Sequence, residues 1–281
     1  MPLLYPPALS LWERVVRVVG PGEGEKVAQT CSSRSAACAA CQMFLCMKNQ
    51  YFGDINDFRK YGLLRTLCGN DLSLAVCWML TEDDGGQDGG KRRYLKEERY
   101  WCKFDETLFA SLKQTSDRDK QNVCYAEKWG ILSTAQFYFS DSVPTDTGER
   151  QRYFERFFLK SRKTKFDLIF FDPDNGWEVP SAPYRAKRSV KHVYSDELWS
   201  TFSRGHSVLF YQHFARPREG RDAFVTNTEK QLIWLTGAGE VYSFRTTNVA
   251  FFLIPRVSHR ERFRSRASEL SAIWEDQFLT T

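Results

Sequence analysis

The chain has 281 residues, 42% of them hydrophobic and 15% aromatic, enough to bury a sizeable core as one large domain or two small ones. Its 40 Lys and Arg against 35 Asp and Glu leave +5, compatible with a polyanionic partner yet short of a dedicated nucleic-acid-binding tail. No run approaches the roughly 18–20 apolar residues that cross a bilayer, and the N-terminus lacks the pattern of a secretory leader, so the reading is a cytoplasmic protein with no membrane partner.

Residues 1–46 read differently from the rest. Pro-Pro, Pro-Gly and Ser-rich stretches with little periodicity suggest a poorly ordered extension, whereas Met47-Lys-Asn-Gln-Tyr-Phe-Gly53 opens into a strongly patterned segment expected to form a single α/β domain over 47–281. Leu9-Ser-Leu-Trp-Glu-Arg-Val-Val-Arg-Val-Val-Gly20 resembles translated bacterial intergenic repeat sequence, which implies an upstream start codon and a natural beginning at Met47 or Met43. The rival reading is a short amphipathic helix over Trp12–Val19. Four of the eight cysteines, Cys31, Cys38, Cys41 and Cys46, crowd this region. Cys38 and Cys41 have metal-ligand spacing, but no second pair or nearby His completes a zinc set. The scattered Cys68, Cys77, Cys102 and Cys124 read as reduced, mostly buried thiols.

Along the domain, Asp54–Cys68 places Ile55, Phe58, Leu63, Leu64 and Leu67 near one helical stripe, with Asp54 or Asn56 able to cap it and Gly69 to end it. Leu72–Leu80 is an unbroken apolar run, as expected of a strand covered on both faces, and it enters the loop Thr81-Glu-Asp-Asp-Gly-Gly-Gln-Asp-Gly-Gly90. Helical spacing follows at Tyr94–Lys113 and Thr147–Lys160, with a strand at Gln136–Phe139 between them. Phe166–Phe171 is the clearest buried strand, and Asp196–Ser203 is a short helix leading to another strand at His206–Tyr211. A helix at Arg221–Lys230, strands at Leu232–Leu235, Glu240–Phe244 and Val249–Ile254, and a charged helix after Arg260 complete the pattern. Such alternation implies a mostly parallel sheet with helices on both faces and a C-terminal antiparallel hairpin.

In a doubly wound sheet, ligands collect beyond the carboxyl ends of strands, where Asp172-Pro-Asp-Asn-Gly176 falls. Pro173 fixes its own φ and Gly176 permits a positive one, so the turn can hold Asp172, Asp174, Asn175 and backbone carbonyls in a defined array. The plain alternative is a good turn with an Asx cap. Gln212 and His213 emerge at a strand end and so face the same crevice; His213 is a candidate general base, although such a histidine is more often structural. Arg185, Lys187, Arg188 and Lys191, interleaved with Tyr184 and Tyr194, suit a phosphate backbone with stacking aromatics.

This Asp-Pro turn after an apolar strand is similar to motif IV of amino-methyltransferases, S-adenosylmethionine enzymes that usually read Asp/Asn-Pro-Pro followed by an aromatic. Gly53-Asp-Ile-Asn-Asp-Phe-Arg-Lys-Tyr61 resembles the Gly-Asn-x-Ala-Asp-x-x-Lys-His signature of the ribosomal RNA large-subunit adenine-N6 methyltransferase family, with Gly53, Asp57 and Lys60 at identical spacing. Gly205–His213 and Asn248–Pro255 resemble two further strands of that family, so the likeness spans roughly Met47–Pro255.

The resemblance implies a Rossmann-like methyltransferase fold, an S-adenosylmethionine site at Gly53, Asp57, Lys60, Thr81 and Gly85, and a nucleic-acid partner, RNA or DNA. It further implies that Asp172, with a neighbouring backbone carbonyl such as that of Pro173, accepts hydrogen bonds from the target amine and keeps its lone pair aimed at the sulfonium methyl. The second Pro and the aromatic are replaced by Asp174 and Asn175. Base stacking would therefore fall to Trp177 or Tyr184, with Lys191 and His213 also facing substrate. Two other readings use the same residues. Asp172, Asp174 and Glu178, with Asp83 or Asp84, could hold Mg²⁺ for phosphodiester hydrolysis, with Lys191 or His192 stabilising the developing charge; or the chain could be a non-catalytic binding descendant.

Overall fold

The computed structural model describes residues 52–81, 91–115, 122–161, 165–214, 220–274 and 276–280, all within one compact unit, Leu45–Thr281. The extension up to residue 46 with its cysteines and the loop residues Asp83, Asp84 and Gly85 lie outside the described residues.

Helix α1 is Ile55–Cys68; the Asp54 side chain caps it by accepting hydrogen bonds from the backbone N–H groups of Asn56 and Asp57 at 2.7 and 2.9 Å, and Gly69 ends it. Strand β1, Leu74–Cys77, follows. The expected Tyr94–Lys113 helix is instead three pieces, a 3₁₀ turn at Arg93–Lys96, α2 at Glu98–Trp101 and α3 at Glu106–Lys113. The second break falls at Asp105, whose carboxylate accepts from the Leu108 N–H and starts α3 afresh.

Next come α4 (Cys124–Lys128), β2 (Ala135–Phe139), α5 (Thr147–Ser161) and β3 (Leu168–Phe171). A two-residue strand β4 (Gly176–Trp177) pairs with β5 (His192–Val193), ahead of α6 (Ser195–Ser203) and β6 (Ser207–His213). Helix α7 runs Arg221–Thr236, so the expected strand at Leu232–Leu235 is its last turn. A four-residue apolar run is compatible with either state, and Leu232 at the helical spacing from Val225 and Thr228 buries on the same face. The chain closes with β7 (Tyr242–Arg245), β8 (Val249–Ile254), α8 (Arg260–Ile273) and β9 (Leu279–Thr280).

The seven-stranded sheet has the order β2-β1-β3-β6-β8-β7-β9. The first four strands are mutually parallel, β8 runs against both β6 and β7, and β9 against β7. Strand residues alternate between two cores. Leu74, Val76, Leu168 and Phe170 pack with α1, α3 and α8 on one face, while Ala75, Cys77, Ile169 and Phe171 pack with α5, α6 and α7 on the other. The architecture is thus the expected Rossmann-like α/β sheet, mostly parallel, covered on both faces and ended by an antiparallel hairpin. Its order reverses at β1: the chain leaves for β2 on one side and returns to β3 on the other, which puts the topological switch point between β1 and β3. Cys68 and Cys77 are buried thiols, while Cys102 and Cys124 are only half-buried, against the expectation that most of the four lie inside. Among the described residues no helix is long and apolar enough to cross a membrane.

Candidate functional site

The turn after β3 sits at the switch point. The Asp172 N–H donates to the Cys77 carbonyl at the end of β1, 3.0 Å away, so the first residue of the motif still belongs to the parallel ladder while its side chain passes the sheet edge. Helix α1 reaches the same place from the opposite end of the sequence. Lys60 Nζ lies 2.6 Å from Asp172 Oδ2 and 2.7 Å from Asp57 Oδ1, and Lys60 as a whole is only 7% exposed. Lys60 is therefore an interior ion-pair member and not a solvated helical lysine. Its ammonium also lies 5.2 Å from the Tyr61 ring and 5.4 Å from that of Trp78.

Gly53, Asp57 and Lys60 form one unit. The Asp57 carboxylate accepts from the Gly53 N–H at 2.9 Å and binds Lys60 with its other oxygen. Gly53 adopts φ 79, and a Cβ there would lie 2.8 Å from Thr115 Oγ1, so the position calls for glycine on both counts. Its carbonyl accepts from the Tyr94 hydroxyl at 3.0 Å.

The electrostatics follow from burial. Burial raises the Asp172 carboxyl to about 6, against the pull of Lys60 and with a further push from Asp57 and Asp174. Burial works against the Lys60 ammonium too, but Asp172 and Asp57 overcome it and hold its pKa above the ordinary lysine value. Burial, followed by repulsion from Asp57, pushes the Asp54 carboxyl up. Tyr211, on β6, is driven well above the ordinary tyrosine value by burial and then by Asp172, Asp54, Asp57 and Asp174. Two carboxylates, Asp57 and Asp172, thus hold one lysine, with Asp54 and Asp174 near enough to add their fields, an environment favouring a cationic guest.

The rest of the turn is locked to β6. The Gln212 amide donates to the Asn175 and His213 carbonyls at 3.1 and 2.9 Å and accepts from the Trp177 N–H at 2.8 Å. The His213 N–H donates to the Asn175 carbonyl at 3.0 Å, and the Asn175 N–H to the Lys191 carbonyl at 2.8 Å. Gly176 has φ 112, and a Cβ there would stand 2.8 Å from the Gln212 Cα, inside backbone contact. Pro173 is buried. The Thr81 hydroxyl donates to Asp174 Oδ2 at 3.0 Å, joining the loop after β1 to the turn after β3. Two positions before Thr81, Met79 has φ 48, the sole positive φ outside glycine among the described residues, a backbone state costing about 1–3 kcal/mol that proteins tend to keep where function needs it.

Three of the four expected substrate contacts, Trp177, Lys191 and His213, meet around Asn175 and Gly176 through their backbones. The fourth, Tyr184, lies with Tyr194, ring centroids 4.8 Å apart, over the Arg150 guanidinium. Asp172, Asp174 and Glu178 turn to three separate partners, Lys60, Thr81 and Ser195, and among the described residues no three acidic, His or Cys side chains converge as a metal set.

Sequence reasoning missed Arg150. It is fully buried, binds Glu197 Oε1 and Oε2 at 2.6 and 3.0 Å, and donates to the carbonyls of Ser189 and His192 at 3.0 and 2.7 Å, fixing the segment that leads into β5. In sequence it is one of several charges on a polar helix. It also missed Trp78 as a wall, which carries no local signature; Gln212 was expected at this strand end, but not its bonds to the turn.

Fold and site together define an α/β protein with a buried cluster of ionisable residues at its switch point. No protein-family model matches the chain, and no curated protein matches its sequence. Its structure is similar to the crystal structure of protein LPL1258 from Legionella pneumophila strain Philadelphia 1, of the family DUF519, at 11% identity and a TM-score of 0.39 over 83% of this chain and 96% of that one. A likeness that slight carries no argument about this chain.

Proposed function

We propose that the chain is an S-adenosylmethionine-dependent methyltransferase acting on the exocyclic amine of a nucleic-acid base. The observation that carries the reading is the contact between Lys60 and Asp172, which unites the two separate motifs that resemble the adenine-N6 family at one point, the switch point of the sheet. Gly53, Asp57, Lys60 and Thr81 would line the cofactor side; the crevice's surplus of carboxylates suits a sulfonium cation and repels a phosphodiester. The cofactor would supply the electrophilic methyl group. Asp172, ionised above about pH 6, would accept a hydrogen bond from the target amine, and the Pro173 carbonyl a second, holding the nitrogen lone pair on line. Trp177 is the first aromatic after the turn and would stack on the base.

Hydrolysis with Mg²⁺ draws no support from three carboxylates held by three different partners. The experiment is transfer of a labelled methyl group from S-adenosylmethionine to unmodified RNA and DNA by the full chain, with and without EDTA. Incorporation that survives EDTA and is lost in Asp172→Asn supports the reading. Mg²⁺-dependent cleavage of the nucleic acid without methyl incorporation overturns it.

A further inference from the structure

The rim of the crevice has the opposite charge to its interior. Between Glu178 and Asp196 there is no acidic residue, while Arg185, Lys187, Arg188 and Lys191 fall within seven positions. Arg185, Lys187 and Arg188 are exposed, Lys191 half-buried, and among the described residues none of the four side chains makes an ion pair or a hydrogen bond. Elsewhere clustered surface cations are neutralised: Arg260 and Arg264 by Glu240, Arg262 and Arg266 by Asp71. The basic strap keeps its charge uncompensated.

Its backbone is nevertheless fixed. The 3₁₀ turn Lys187–Lys191 is held from beneath by Arg150 through the Ser189 and His192 carbonyls, at 3.0 and 2.7 Å. Its last carbonyl, on Lys191, accepts from the Asn175 N–H at 2.8 Å, so the strap is joined directly to the turn after β3. Glu197 pairs with Arg150 inside the protein and so leaves the strap's own charges unbalanced. A row of cations without ion pairs, joined to a turn proposed to receive a base, suits by its charge a polyanion whose phosphates must stay outside an acidic site.

We infer that the strap Arg185–Lys191 is a phosphate-docking surface that tracks the backbone of a single-stranded nucleic acid and delivers one nucleotide to the turn at Asn175. The inference rests on the reading of that turn as the place where a base is held. Phosphate contacts of this kind set register and carry a salt dependence, with a slope of about 0.7 per phosphate neutralised on a single strand.

The test is fluorescence anisotropy of a labelled single-stranded RNA 12-mer with the full chain over a salt series. Arg185→Glu, Lys187→Glu and Arg188→Glu combined should weaken binding at least about tenfold and flatten the salt slope by about 2. Arg185→Lys with Arg188→Lys should keep both, and Lys230→Glu, on the exposed side of α7, should change neither by more than about one contact's worth. Undiminished affinity and slope in the triple reversal overturn the inference, as does a wild-type chain that does not bind the probe. Titration of the triple variant with S-adenosylmethionine separates this from the reading of the crevice. If the cofactor binds while the RNA result is negative, only the strap is wrong; if the strap governs RNA binding and no cofactor binds, only the methyltransferase reading is.

Discussion

Lys60 and Asp172 stand 112 positions apart in the chain, and yet Nζ of one lies 2.6 Å from Oδ2 of the other. The pair closes α1 against the end of β3 and sets the protonation of the site. Removing one member of a buried pair strands the other, which costs about 3–5 kcal/mol in typical cases. Lys60→Met is accordingly expected to lower unfolding stability by about 3 kcal/mol, checked by denaturant titration at neutral pH. Lys60→Met combined with Asp172→Asn should recover part of that loss, because the two residues share one interaction.

The pH dependence has a definite sign. The Asp172 carboxyl is raised to about 6 in the folded protein, so between its ordinary value near 3.8 and about 6 the folded state holds the proton more tightly than the unfolded chain. Its contribution to stability therefore declines as pH rises through that window and is level above it. Asp172→Asn should flatten this part of the stability profile while abolishing methyl transfer. In the wild type, transfer should fall about tenfold per pH unit below about 6, read as a pH–rate profile.

Gly176 and Gln212 make a single joint. Gly176→Ala places a Cβ against the Gln212 backbone at a φ that alanine avoids, and should cost about 2 kcal/mol or more. Gln212→Glu keeps the shape but cannot donate to the Asn175 and His213 carbonyls. It should leave the fold cooperative and reduce methyl transfer far more than cofactor affinity, a split visible by comparing rate with calorimetry.

Arg150 should behave as a buried ion-pair member remote from the reaction. Arg150→Ala leaves Glu197 uncompensated and frees two carbonyls, an expected loss of about 3–5 kcal/mol in thermal or chemical unfolding. A change within about 0.5 kcal/mol would contradict the clamp.

Much of this was legible in the sequence because local chemistry enforces it. Asp54 and Gly69 bound α1 as capping predicts, and the apolar run before Asp172 forms a strand buried on both faces. Short or interrupted patterns misled: Leu232–Leu235 continues a helix, and Asp105 restarts one inside an apparently continuous segment. Long-range partners were hidden for a different reason. Periodicity reports which face of an element is apolar, not what meets a polar residue on it, so the fates of Lys60, Arg150 and Gln212 depended on residues 35 to 112 positions away.

The most direct test of the central claim is calorimetric titration of the full chain with S-adenosylmethionine and with its demethylated product, in parallel with Lys60→Met. Saturable binding of both, at about micromolar affinity and at least about tenfold weaker in the variant, is the predicted result. Absence of binding for both ligands to the wild type would contradict the assignment of the crevice to this cofactor.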